Sequence, residues 1–148
     1  MNNSNGKMKI LILCTGNSCR SQMAEAFLKS FDKTLEVYSA GTEPADLVNP
    51  HTIKVMSEIG IDISQNQPKS VNQFIGENFD YVITVCDHAK EICPVFFSNV
   101  KQRLHLDFED PAEATGTETE ILAVFRRVRD EIKTHFSDFY NKNLRNKE

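Results

Sequence analysis

No stretch of this chain is apolar for long enough to cross a membrane. It starts with the polar run MNNSNGKMK, and the apolar run that follows, ILIL, is too short for a secretion signal or a span. A cytoplasmic protein with no membrane partner is therefore expected. Basic residues are outnumbered, with 17 Lys and Arg against 21 Asp and Glu and a net charge of −4. That balance disfavours a nucleic-acid partner, so any anionic ligand must be held by a local field. Cysteine is sparse. Four cysteines without a secretion signal do not read as a disulfide framework, which leaves metal ligation or thiol chemistry. Repeats, low-complexity tracts and linkers are missing too. The 148 residues, 40% of them hydrophobic, suit one domain, with 1–8 and 141–148 loose at its ends.

What is present alternates between strand and helix. Lys9 to Cys14, KILILC, is an apolar run of strand length. Ser21 to Phe31 places Met23, Phe27 and Phe31 on one helical face. LEVYSAG reads as a second strand ending in small residues. Asn49 caps a helix that has Pro50 in its first position and Gly60 as its stop, with Ile53, Met56 and Ile59 as its stripe. Tyr81 to Cys86 is a third buried strand, and RLHLDF is a weaker fourth. A long amphipathic helix closes the chain, with Ile121, Phe125, Val128, Ile132 and Phe136 inward. This order predicts an α/β fold: a four-stranded parallel sheet with helices on both faces. Ligands bind such sheets at the carboxyl ends of strands. The rule brings Cys14, Cys86 and the Asp107 to Asp110 segment to one rim.

Between the first strand and the first helix lies CTGNSCRS, residues 14 to 21. A turn containing glycine and asparagine can aim successive backbone N–H groups inward as an anion nest, and the helix that follows adds its positive end. Thr15, Gly16, Asn17, Ser18, Cys19 and Arg20 are the expected oxyanion ligands, with Arg20 supplying a forked donor. Cys14 sits at the mouth, where those charges are expected to depress its pKa and make it a nucleophile. Ser21 is placed to hydrogen-bond the thiolate. Alone, Cys14 would read as a strand cysteine and Arg20 as a surface charge; their spacing of six, with Gly16, Asn17 and Ser21, favours the site. The lysine of a nucleotide-binding GxxxxGK[ST] loop is missing.

CTGNSCRSQMAE resembles the catalytic loop of the low-molecular-weight tyrosine phosphatase fold. More narrowly, it resembles the thioredoxin-coupled arsenate reductases built on that fold. VYSAG, VNPHTIKVMSEIGIDIS, CDHAKEICP and FEDPA extend the match from about Lys9 to Phe136. The resemblance implies a single catalytic domain in which Asp110 is the general acid, although Asp107 and Glu109 are close enough to be confused with it. It also implies a relay. Cys14 attacks arsenate, Cys86 attacks Cys14 and releases arsenite, and Cys93 then pairs with Cys86 as a disulfide for thioredoxin. Cys19 packs beneath the loop without a step of its own. DPAEATG offers no aromatic slot after Asp110, which favours a small inorganic anion, arsenate or phosphate, over a phenyl ester.

The phosphatase reading stays open, because one thiol suffices for it. So does a non-enzymatic zinc or redox-sensing module, although C-x4-C and C-x6-C are not tight zinc knuckles. Members of the family often bind potassium. Asn17, Glu25 and Ser39 match that site, but Gln67 and Lys69 replace a hydroxyl and a carboxylate. A lysine ammonium cannot ligate a cation and can itself stand in its place, so no tightly bound cofactor or metal is expected. A monomer is expected as well. Last, DHAKEI between Cys86 and Cys93 is helix-forming. In a helix, residues seven apart lie about 10 Å along the axis, beyond the roughly 7 Å reach of a disulfide, so oxidation must unwind the segment.

Overall fold

A computed structural model describes residues 8–86 and 100–145. Four parallel strands form one sheet in the order β2-β1-β3-β4: β1 is Lys9–Cys14, β2 Glu36–Gly41, β3 Phe79–Thr84 and β4 Val100–His105. Successive strand residues point to opposite faces. Ile10 to Leu13 are all fully buried, so the sheet is covered on both sides at its centre. β4, at the edge, is half exposed, which explains its weak apolar signal.

The third and fourth strands were expected two to three residues further along the chain. Pairing of β3 with β1 stops at Leu13 and Thr84. Beyond it isolated contacts persist, Val85 N–H to Leu13 O, Leu106 N–H to Thr84 O and Phe108 N–H to Val85 O. The following residues leave the sheet to build the rim.

Helix α1 is Arg20–Phe31 and packs against β1, β2 and the last helix. Helix α2 is Pro50–Ser57, capped by Asn49, whose side chain accepts from His51 N–H at 2.8 Å. Such a cap stabilises by about 1 kcal/mol. The buried side of α2 is Thr52, Val55 and Met56. The expected stripe of Ile53, Met56 and Ile59 is rotated: Ile53 is half-buried, and Ile59 lies past the helix end and is exposed.

Helix α3 is Glu118–Phe139, opened by a reciprocal Thr117–Glu120 capping box. Leu122, Phe125, Val128, Ile132 and Phe136 face the core, and Ile121 is only half-buried. Arg129 is buried among them and donates to Val55 O at 2.9 Å and to Glu58, tying α3 to the end of α2. A helical turn at Tyr140–Leu144 follows, with Leu144 buried and Tyr140 Oη donating to Asp32. The folded chain thus continues past residue 141, where a loose tail was expected. No helix among the described residues is long and apolar enough to cross a membrane.

Candidate active site

The carboxyl ends of β1 and β2 meet at Cys14 and Gly41, and β3 ends one strand over at Thr84, two residues before Cys86. Between β1 and α1 the chain wraps a cavity of about 230 Å³. Cys14, Thr15, Gly16, Asn17, Ser18, Cys19 and Arg20 line it, with Asp110 and Ala112 across the mouth.

The wrapping has a regular cause. All six carbonyls from Cys14 to Cys19 are claimed by donors of the surrounding fold. Cys14 O accepts from Thr42 N–H, Thr15 O from Glu43 N–H, Gly16 O from Ala45 N–H, Ser18 O from Asn49 N–H and Cys19 O from Met23 N–H, at 2.9 to 3.1 Å. Asn17 O accepts from the Gln22 side chain at 3.2 Å. In a trans peptide the carbonyl and the next N–H point opposite ways. The N–H groups of residues 15–20 are therefore turned toward the other side, as an anion nest requires. Asn17 adopts φ 53°, the left-handed value that a tight reversal needs.

The tie from β2 to this loop is close. A Cβ on Gly41 would fall 2.5 Å from Thr15 O and 3.1 Å from Asn17 N, both backbone atoms, so any side chain there would displace the loop.

Behind the loop, Asn17 is a fully buried hub. Its Nδ2 donates to Ser21 Oγ at 2.8 Å and to Ser39 Oγ at 2.9 Å, and its Oδ1 accepts from Lys69 N–H at 2.8 Å. Ser39 Oγ donates in turn to Glu25, which is buried. Lys29 Nζ donates to the other oxygen of Glu25, and Lys69 Nζ lies 4.0 Å from the first. Asn17, Glu25 and Ser39 are thus linked to one another, with two ammonium groups against the carboxylate. Lys29 was not singled out from sequence, although its i, i+4 spacing from Glu25 was there to be read.

Arg20 Nη1 donates to Phe108 O at 3.0 Å, and Nη2 lies 3.6 Å from Asp110 Oδ2. Its Nε is buried with no acceptor among the described residues. Asp110 also accepts from Ala112 N–H at 3.0 Å through Oδ1. Its neighbour Glu109 is drawn away into an ion pair with Arg127 at 2.7 Å, and Asp107 does not line the cavity. Of the three acidic candidates, Asp110 is the one at the pocket. Among the described residues no ring stands at the mouth; Ala112 does.

Cys14, Cys19 and Cys86 are buried. The Cys86 thiol is in hydrogen-bonding contact with Cys14, and its Sγ lies 3.3 Å from Thr15 Oγ1. Cys19 lies under the loop, 3.7 Å from Ser18 Oγ, with its thiol pushed up by burial. Cys93 lies outside the described residues. No three His, Cys, Asp or Glu side chains converge as a metal site among the described residues.

The depressed Cys14 pKa expected from sequence is reversed. The contact with Cys86 and then burial push this thiol above its ordinary value, while Arg20 and the Thr15 N–H pull the other way. Two neighbouring thiols share one proton-transfer system and do not both ionise easily. Replacing Cys86 removes the largest upward cause. In Cys86→Ala the Cys14 thiolate should therefore form at lower pH than in the parent, read by its ultraviolet absorbance against a Cys14→Ser blank. An unchanged or higher titration would show that Cys86 does not govern Cys14.

The low molecular weight phosphotyrosine protein phosphatase family model matches residues 9–148. An arsenate reductase of Halalkalibacterium halodurans is 51% identical over 134 residues, 90% of this chain and 95% of its own length. One of Bacillus subtilis is 48% identical over 131 residues, 88% and 93% of the two chains. A solved arsenate reductase in a phosphate-binding state superposes with a TM-score of 0.77 at 32% identity, over 91% of this chain and 98% of its own. The chain belongs to the low molecular weight phosphotyrosine protein phosphatase family and, within it, to the arsenate reductases.

Proposed function

We propose that the protein reduces arsenate to arsenite with Cys14 as nucleophile and a Cys14, Cys86, Cys93 relay that thioredoxin resets. One observation carries this reading: a second thiol, Cys86, lies beside the base of an anion pocket, its Sγ 3.3 Å from Oγ1 of Thr15, the residue that follows Cys14. A hydrolase has no use for it there.

The bound dianion is itself a base at hand for the Cys14 proton. Cys14 Sγ bonds to arsenic as one arsenate oxygen departs as water, taking that proton and the proton of Asp110. Arg20 and the inward N–H groups hold the remaining oxygens. Cys86 then attacks Cys14 Sγ. A sulfur–sulfur bond forms, the Cys86 proton passes to an arsenic-bound oxygen, and the electron pair of the sulfur–arsenic bond stays on arsenic, which leaves as arsenite. Cys93 attacks Cys86 and frees Cys14. A dithiol reductant reduces the Cys86–Cys93 disulfide, so two electrons enter per turnover. The test is arsenate-dependent NADPH consumption coupled through thioredoxin and thioredoxin reductase. Hydrolysis of p-nitrophenyl phosphate without any arsenate-dependent consumption would return the reading to a phosphatase, for which Cys14, Arg20 and Asp110 suffice.

The Asn17, Ser39, Glu25 network needs no resident potassium in this reading, because the Lys69 and Lys29 ammonium groups already face the carboxylate. Turnover should not distinguish potassium chloride from sodium chloride at equal ionic strength. Lys69→Gln should create a preference for potassium. A parent activated by potassium over sodium would overturn this role for Lys69.

A further inference from the structure

Five of the six loop carbonyls are held outward by backbone N–H groups, which no substitution except proline removes. The sixth, Asn17 O, is held by a side chain, Gln22. We propose that Gln22 is a positioning residue that locks the peptide between Asn17 and Ser18, and so keeps the Ser18 N–H aimed at the bound oxyanion.

Gln22 is fully buried in the first turns of α1 and does not line the pocket. Its Nε2 donates to Asn17 O at 3.2 Å, to Asn17 Oδ1 at 3.2 Å and to Gln67 O at 3.3 Å. Its Oε1 accepts from Asn66 Nδ2 at 3.1 Å, so the amide orientation is fixed from both ends. The peptide that it holds follows the one left-handed non-glycine residue among the described residues. Such a residue keeps its conformation only where its surroundings over-determine it. Without the Gln22 donor, that peptide is the loop unit free to rotate. Rotation would withdraw an N–H from the pocket and turn a carbonyl oxygen toward the anion, a loss and a repulsion together.

This inference rests on oxyanion binding by the loop, and it is tested with sulfate, which needs no turnover. A parent that binds sulfate yet reduces no arsenate would sink the proposed reaction and leave the role of Gln22 to be judged on its own. Gln22→Met keeps length and volume and removes every donor. It should weaken sulfate binding, measured by calorimetry, by about tenfold or more, as one lost charge-assisted hydrogen bond implies. The KM for arsenate should rise in step while kcat changes little, because ground and transition states use the Ser18 N–H alike.

Gln22→Glu supplies the readout that mere packing would not move. Protonated, the carboxyl can still donate to Asn17 O; ionised, it cannot, and it repels that oxygen. Its sulfate affinity relative to the parent should therefore fall as pH rises from about 5 to about 8, the range a buried carboxyl reaches. Should Gln22→Met fail to fold, this pH series decides alone. Sulfate binding as tight as the parent's in Gln22→Met, or a flat ratio across pH in Gln22→Glu, would overturn the proposal.

Discussion

Cys14→Ser should leave neither arsenate reduction nor p-nitrophenyl phosphate hydrolysis above background, a loss of about a thousandfold or more. Among the described residues, Cys14 is the thiol that both lies on the pocket wall and is influenced by Cys86. A serine hydroxyl at the same place is too weak a nucleophile to replace it, and it cannot form a disulfide. The substitution removes no apolar volume of consequence, so the thermal midpoint should stay within about 2–4 °C of the parent. Sulfate should still bind, because Arg20 and the turned N–H groups remain. Turnover of either substrate by a folded Cys14→Ser protein would show that another group carries the attack.

The two relay substitutions should separate the activities. Cys86→Ser and Cys93→Ser are each expected to stop multiple-turnover arsenate reduction with thioredoxin, again by about a thousandfold. Hydrolysis of p-nitrophenyl phosphate should survive in both, because Cys14, Arg20 and Asp110 are untouched. The two should also differ from each other. With Cys93 absent, one arsenite should be released per protein and a Cys14–Cys86 disulfide should accumulate, visible by mass spectrometry after peptide mapping. With Cys86 absent, no such bond can form. If either variant reduced arsenate with thioredoxin at the parent rate, the relay would be wrong at that cysteine.

Much of the pocket could be read from the chain because its parts are local. The cysteine and the arginine are six residues apart, and the strand before them and the helix after them have clear periodicities. The rule for carboxyl ends of parallel strands then predicts the approach of Cys86, 72 positions further on, without any local signal. What stayed hidden is held by backbone or by partners outside the motif. The N–H groups of Thr42, Glu43, Ala45 and Asn49 that orient the loop have no residue type to betray them. Gln22 reads as an ordinary polar position on α1 until its buried contacts are seen. The Cys14 expectation failed because helix end and guanidinium were weighed without the neighbouring thiol. The stripe of α2 was misread because the helix ends at Ser57, short of Ile59, and its buried side is Thr52, Val55 and Met56, where a threonine gives no apolar signal.

The outward set of the loop carbonyls means that CTGNSCRS is not a portable anion site. A peptide of those eight residues carries every donor, yet nothing in it keeps its carbonyls from competing for the same space. The determinants of the cradle are divided between the motif and distant stretches, of which 41–49 holds four of the six carbonyls, and that stretch contains no recognisable chemistry. Transplanting the motif onto another strand–helix junction would need a flanking segment of matched length, with glycine at its point of closest approach. An insertion between Thr42 and Asn49 touches no reacting atom, but it would detune the cradle as surely as a change within it. Efforts to retune the pocket for other oxyanions must therefore vary both stretches as one unit.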